Sequence, residues 1–227
     1  MIGIVIPTEY EAKALIARLR APQQIALRGR TATRGLIGKN QCMIVISGIG
    51  KVLCASATQQ LIDHASCEAL FHLGSAGALS PELKIGDFIL GEEIIEHDHY
   101  SLFGKLNVVE KAKSDSDLVH RILKYADSSG KKIFQGSILS GTEDIVTTKR
   151  RDELYNKFAG LSVDWESFAF AKVCNVANLP CLVLRAISDY AYENTSDEFK
   201  KNFATVSAEL CRFLADFLLK YSDNEVK

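Results

Sequence analysis

The sequence predicts an α/β protein, a three-layer α/β/α sandwich around a mixed, largely parallel central sheet. Three observations carry that prediction. Apolar runs of strand length alternate with segments of helical periodicity along the whole chain. Those runs are continuously apolar, which marks strands covered on both faces by helices. No linker rich in proline, glycine and serine, no repeat and no low-complexity stretch interrupts them, so residues 1–227 read as one domain.

The elements follow in order. Residues 2–6 form an apolar strand, after which Ala12, Leu15, Ile16 and Leu19 recur at helical spacing. Residues 43–46 are a second buried strand, followed by a glycine turn and a helix over 51–64. Residues 69–73 are short and apolar and end in Gly74-Ser75-Ala76-Gly77. Residues 85–95 form a longer strand region, with Gly86-Asp87 as a turn at its start. Leu118, Ile122 and Tyr125 mark a helix that Gly130 stops, and residues 133–139 resume a strand. A charged helix near 148–158 precedes a brief strand at 161–163 and a helix at 167–176. Pro180 opens a buried strand to residue 187, at a first position where no ladder donor is missed. Phe203, Val206, Leu210, Leu214 and Phe217 share one stripe of a final helix, and the polar tail at 222–227 is expected to fray.

Composition excludes some partners. With 27 basic and 28 acidic residues the net charge is −1, without the basic excess that nucleic acid or a membrane surface calls for. The run Lys149-Arg150-Arg151-Asp152-Glu153 mixes signs and reads as a solvated helix face. Cys42, Cys54, Cys67, Cys174, Cys181 and Cys211 lack CxxC spacing and lie mostly in apolar runs, as reduced core thiols of a cytoplasmic protein do. The N-terminus opens on an apolar strand instead of the charged and apolar regions of a signal peptide, and no apolar run approaches the ~18 residues of a membrane span. In His97-Asp98-His99-Tyr100 the alternating histidines share one face with the acid on the other, short of a three-ligand metal site.

In folds of this class ligands bind at the carboxyl ends of the strands. Carboxylates stand at three such ends: Glu11 after the first strand, Glu166 in Asp164-Trp165-Glu166, and Asp189 after Ser188. Small residues that admit a close ligand stand at two others, Ser47-Gly48-Ile49-Gly50 and Gly74-Ser75-Ala76-Gly77. Each has a plainer reading: Glu9 and Glu11 as first-turn helix acids, Asp189 as a helix cap, Glu166 as the first-turn acid of its helix. Together they suit acid/base chemistry on a neutral polar substrate. Leu53 stands where a dinucleotide fingerprint needs its third glycine, and there is no GxxxxGK[ST] motif, so no nucleotide cofactor is called for.

These pieces, in this order, resemble the purine nucleoside phosphorylase and hydrolase superfamily, and within it the methylthioadenosine/S-adenosylhomocysteine nucleosidases. The resemblance runs over nearly the whole chain. It is carried by Ile2-Gly3-Ile4 with Glu9-Tyr10-Glu11, Ser47-Gly48-Ile49-Gly50-Lys51-Val52, Gly74-Ser75-Ala76-Gly77-Ala78-Leu79, Lys84-Ile85-Gly86-Asp87 and Ser140-Gly141-Thr142. Its more specific parts are Val163-Asp164-Trp165-Glu166-Ser167 and Arg185-Ala186-Ile187-Ser188-Asp189.

The resemblance implies a nucleoside phosphorylase-like fold, a homodimer, a small purine nucleoside as substrate, and no metal or other cofactor. It implies that Asp189, with Ser188 beside it, protonates the departing purine at N7. Glu166 would hold the ribose hydroxyls and Glu11 would orient and deprotonate the attacking water. Ser75, Ala76 and Gly77 would lie near sugar and base, and Ile49 on the ribose side. Ile145 would offer backbone groups to the purine edge, and Phe199 would close over the base or the 5′ substituent. Arg185 would support the site from behind. The family's His-Asp stretch lies near a subunit contact, which gives residues 97–100 an interface reading.

Phosphorylases of the superfamily use arginines for phosphate, one of them just before the glycine-rich turn. Here Phe71-His72-Leu73 precede Gly74, which favours water, although Arg28, Arg30 and Arg34 could fold over the site and His72 could contact an anion. The chain departs from the nucleosidase pattern at Asp144, where a phenylalanine is usual, and at Trp165 and Thr8, where methionines are. Futalosine hydrolysis, or a phosphorylase-like reaction on adenosyl-hopane intermediates, therefore stays open; Val146-Thr147-Thr148-Lys149 resembles the latter group. A non-catalytic nucleoside-binding module would not need all three acids, and the broken glycine pattern argues against a nicotinamide-dependent oxidoreductase.

Overall fold

The computed structural model describes residues 1–99 and 109–221; Tyr100 and the polar tail at 222–227 lie outside the described residues. In order the elements are β1 (Ile2–Ile6), α1 (Glu9–Ile16), β2 (Arg20–Leu27), β3 (Arg30–Ile37), β4 (Asn40–Ile46), α2 (Lys51–His64), β5 (Ala69–Ala78) and β6 (Phe88–Glu96). There follow β7 (Lys111–Lys113), α3 (Ser116–Ser129), β8 (Ile133–Ser140), α4 (Thr148–Phe158), β9 (Ser162–Asp164), α5 (Ser167–Val176), β10 (Cys181–Asp189) and α6 (Thr195–Tyr221).

The strands join in one mixed sheet in the order β10-β6-β8-β9-β5-β1-β4-β3-β2, with β7 beside β6. Strand β10 also pairs with β5, so β5, β10, β6, β8 and β9 close on themselves like a small barrel. Parallel pairings build its middle: β1 with β4 and β5, β5 with β10, β8 with β6 and β9. The core of these strands is apolar because both faces are covered, most completely in β1, whose five residues are all buried. Leu15 of α1, Ile122 of α3 and Leu210 of α6 pack on one face; Leu61 of α2 and Phe170 of α5 pack on the other.

Three departures from the sequence reading bear on the site. Residues 20–37, which carry no strand pattern, form the β2–β3 hairpin at the sheet edge, where Arg20 to Gln24 are exposed and Pro22 costs no ladder bond. Strand β5 does not stop at residue 73 but runs through Gly74-Ser75-Ala76-Gly77 to Ala78. Its glycines answer to their neighbours and not to a turn. A Cβ on Gly74 would lie 2.6 Å from Arg185 Nη1, and one on Gly77 would lie 2.9 Å from Asp189 Oδ1. Strand β10 likewise runs to Asp189, with a bulge at Ser188 between the pairs Ile187–Ala76 and Asp189–Gly77. A bulge re-aims the side chains beside it, and it turns both Ser188 and Asp189 to the same cleft.

Candidate active site

A cleft of about 400 Å³ opens at the carboxyl ends of β1, β5, β9 and β10. Glu11, Glu166 and Asp189 all line it, as do Ser75, Ala76, Gly77, Ile49, Ile145, Trp165, Ser188 and Phe199. All the site residues named from the sequence meet there except Arg185, which is completely buried behind the wall instead of lining it.

Each carboxylate is held by its own local structure. Thr8 caps α1: its Oγ1 accepts from Glu11 N at 3.3 Å and donates to Glu11 Oε2 at 2.8 Å. Glu11 Oε1 accepts from the backbone N of Ser75 at 2.9 Å and from its hydroxyl at 3.0 Å. The acid is thus more than a dipole-favoured first-turn residue; it is tied across the sheet to β5.

Glu166 begins α5 but does not cap it. Asp164 does, with Oδ1 accepting from Glu166 N at 3.0 Å and Ser167 N at 2.9 Å. The Glu166 side chain is left to face the cleft, where Oε1 accepts from Gly50 N at 2.7 Å. Burial, reinforced by the Asp164 charge, raises its pKa to about 7 against the pull of Arg185.

Asp189 is buried. Its Oδ1 accepts from Ala191 N at 3.0 Å and its Oδ2 from Ser188 Oγ at 2.7 Å. Burial holds its pKa above the usual aspartate value, although Ser188 and Ala191 donate to the ionised form. Ser188 Oγ also lies 3.3 Å from Ala76 O. A hydroxyl has one proton to give, so Ser188 can donate to ionised Asp189, or turn to Ala76 O and accept the proton of the neutral acid.

Behind the wall lies a buried polar chain. Arg185 Nε donates to Asp164 Oδ2 at 2.6 Å, Ser167 Oγ bonds the same carboxylate, and Arg185 Nη2 lies 2.6 Å from His72 Nε2. His72 Nδ1 lies 2.9 Å from Val5 O. A carbonyl only accepts and a guanidinium only donates, so His72 carries its proton on Nδ1 and accepts at Nε2. Burial and the Arg185 charge push its pKa down to about 3, so the ring is neutral. His72 therefore orients Arg185 and is no anion ligand. Arg185 Nη1 is buried without a hydrogen-bond partner and faces Gly74, beside Glu11 Oε1.

Of the residues where the sequence departs from the nucleosidase pattern, Trp165 is tied to the neighbouring Glu143. Trp165 Nε1 donates to Glu143 O at 3.1 Å, and Arg150 grips the Glu143 carboxylate with Nε and Nη2, each at 2.8 Å. Asp144 and Thr8 line the cleft. Arg30 donates to Ser47 O at 3.0 Å, just past β4, and Arg34 to Gln23 Oε1 at 3.0 Å within the hairpin, and neither lines the cleft. Asp98 takes Lys51 Nζ and Thr142 N, each at 2.7 Å, and no cluster of three or more metal-ligating side chains occurs among the described residues.

The sequence motifs and this geometry have a counterpart among known families: the model of the phosphorylase superfamily matches residues 1–219. The chain belongs to that superfamily. Among superfamily members, the 5′-methylthioadenosine/S-adenosylhomocysteine nucleosidase of Staphylococcus carnosus is 30% identical over 223 residues, 92% of this chain and 96% of that one. The nucleosidase of the same description from Thermotoga maritima is 27% identical over 219 residues, 96% of each chain. The S. pneumoniae nucleosidase, solved with a transition-state inhibitor, superposes with a TM-score of 0.89 at 27% identity, covering 96% of this chain and 98% of that one. The nucleoside phosphorylase-like fold expected from the sequence is therefore the fold observed. Within that fold, what sequence reasoning missed at the site is the support: Thr8 behind Glu11, and Asp164 and His72, which hold Arg185 behind Glu166. Asp164 three residues before Ser167 at a strand end is a capping pattern and could have been found; the partner of His72 could not.

Proposed function

We propose that this protein hydrolyses the N-glycosidic bond of a 5′-modified adenosine of the methylthioadenosine/S-adenosylhomocysteine type, releasing adenine. One observation carries the choice of water over phosphate. Six of the cleft-lining residues are acids, Glu11, Glu143, Asp144, Asp164, Glu166 and Asp189, of which Asp164 and Glu143 are paired with Arg185 and Arg150, and no lining residue among those described is a lysine, arginine or histidine. Such a wall repels a phosphate dianion and favours the cationic sugar that forms as the bond breaks.

The reaction follows from the three acids. As C1′–N9 breaks, the bonding electrons pass to the purine, and Asp189, whose affinity for a proton is raised by its burial, delivers one to N7. Glu166 accepts hydrogen bonds from the ribose hydroxyls, as it does now from Gly50 N. Glu11, immobilised by Ser75 and Thr8, orients a water and takes its proton as the oxygen joins C1′. Solvent returns the proton from Glu11 to Asp189. Ile145, buried and with no backbone hydrogen bond of its own among the described residues, offers a donor and an acceptor to the purine edge. Adenine release followed by absorbance, from methylthioadenosine, S-adenosylhomocysteine and adenosine, tests this reading. The expected result is the same rate with and without phosphate; release that requires phosphate would make the protein a phosphorylase.

The acting form is a homodimer in this proposal. Ile49, Val52 and Leu53 are 58%, 81% and 47% exposed at the start of α2, and Ile49 lies on the rim of the cleft. Apolar groups so clustered call for a cover. Sedimentation should give twice the mass of the chain, and Val52→Glu should shift the protein toward monomer; a wild-type monomer at micromolar concentration would overturn the assignment. No helix among the described residues is long and apolar enough to cross a membrane. The buried free thiols of all six cysteines suit the reducing cytoplasm, where we place the protein.

A further inference from the structure

We propose that Glu198 is a positioning residue for Asp189: from the start of α6 it clamps the loop after β10 on both sides of Ala191 and sets a negative charge beside the acid. The inference rests on the reading of Asp189 as the proton donor.

The geometry is specific. Glu198 Oε2 accepts from Tyr190 N at 3.0 Å, and Oε1 accepts from Tyr192 OH at 2.7 Å. Between the two anchored residues lies Ala191, buried and at φ 51, in the left-handed region that residues with a Cβ rarely enter. That conformation turns Ala191 N toward Asp189 Oδ1. Two neighbours on α6 complete the grip. Thr195 Oγ1 accepts from Tyr192 N at 2.7 Å, and Asn202 Nδ2 donates to Ser188 O at 3.2 Å and to Glu198 O at 2.8 Å. A strained residue inside a binding loop persists only where its surroundings over-determine it, and Glu198 supplies two of the restraints.

The second consequence is electrostatic. From β5 the residues beside Asp189 are Ala76 and Gly77, which carry no charge, and from α6 Thr195 Oγ1 donates to Asp189 Oδ1 at 3.4 Å. Among the described residues the charged group that acts on the acid is Glu198, and its charge adds to burial in raising the Asp189 pKa above its usual value. Removing the Glu198 charge therefore makes Asp189 ionise at lower pH. Because the protonated acid is the active form, the limb of the kcat/KM profile that Asp189 governs moves down with it. Glu166, which must be ionised to accept from the ribose, governs the other limb and is not affected.

The experiment compares pH profiles of adenine release for the wild type, Glu198→Gln and Tyr192→Phe. Glu198→Gln is expected to lower kcat about tenfold, with KM nearly unchanged, and to move the limb governed by Asp189 to lower pH. Tyr192→Phe keeps the charge and removes one leg of the clamp, so kcat falls severalfold while the limb stays in place. If Glu198→Gln does not accumulate as folded protein, Glu198→Asp serves: the shortened carboxylate lowers kcat and leaves the limb. A Glu198→Gln profile superimposable on the wild type overturns the proposal, as does an equal limb shift in Tyr192→Phe. Failure of the underlying reading is distinct, since the wild type itself would then release no adenine.

Discussion

Asp189→Asn is expected to lower kcat by about 10²–10⁴-fold, the range contributed by one positioned general acid. That is about 3–5 kcal/mol of transition-state stabilisation. Asparagine has the shape of the acid. Its carbonyl can accept from Ala191 N as Asp189 Oδ1 does, and its amide can reach Ser188 Oγ in place of Oδ2. What it lacks is a transferable proton, so the purine must leave as an anion. The binding partners survive, so KM should change little and the thermal midpoint should stay close to wild type. Single-turnover adenine release is the direct measurement. A variant that keeps most of its kcat would remove Asp189 from the chemistry and turn attention to Glu143 or Asp144, which lie on the same wall. Ser188→Ala should cost less, because the carboxyl can still deliver its proton; only the hydroxyl that accommodates both of its protonation states is lost.

The legible parts of this fold are those whose residues answer to burial. Strands β1, β4 and β10 are covered on both faces and read as apolar runs. Helices α2, α4 and α5 begin and end where periodicity and charge place them. The β2–β3 hairpin carries no strand pattern because its first strand, Arg20–Leu27, is exposed or half-exposed at every residue but Leu27, so no alternation is written into it. Gly74 and Gly77 misled for a different reason. Glycine in a strand normally signals a turn or a bulge, and here it signals room for Arg185 Nη1 and Asp189 Oδ1.

At the site the same division holds. Carboxylates at strand ends stand out because nothing in a core explains them, which is how Glu11, Glu166 and Asp189 were found. Their supports are assembled from distant segments: Arg185 meets His72 across 113 residues and Asp164 across 21. No spacing in the chain encodes such meetings. His72 inside an apolar run is visible as an oddity, but its locked tautomer depends on Val5 and Arg185 together, which only the assembled sheet brings into reach.

The second large effect is expected at Arg185. Arg185→Met should destabilise the fold by about 3–5 kcal/mol, the cost of leaving one member of a buried ion pair alone. The arginine side chain is 0% exposed and that of Asp164 is 2% exposed, so water cannot replace what is removed. His72 Nε2 loses its donor as well. The loss should depend on pH. Burial by itself would raise the Asp164 pKa, but the Arg185 charge and the hydrogen bonds of Ser167 outweigh it and hold the carboxyl below its ordinary value. A depressed acid stabilises the fold above its unfolded pKa and loses that contribution only as pH falls through the folded one. The wild type therefore keeps the full contribution at neutral pH. Without Arg185 burial prevails and Asp164 becomes easier to protonate, which relieves the buried charge in acid. The stability difference between wild type and variant should accordingly be larger at pH 8 than at pH 5 in denaturant titrations. The double variant Arg185→Met/Asp164→Asn should recover part of the loss, since no unpaired charge remains inside. Equal losses at both pH values with no recovery would mean that packing volume, and not charge, is what Arg185 supplies. Activity should fall along with stability, because Asp164 holds the backbone of Glu166 and Ser167 at the start of α5. Once that cap loosens, Glu166 no longer meets the ribose at a fixed angle, so the Arg185→Met protein that remains folded should show a raised KM.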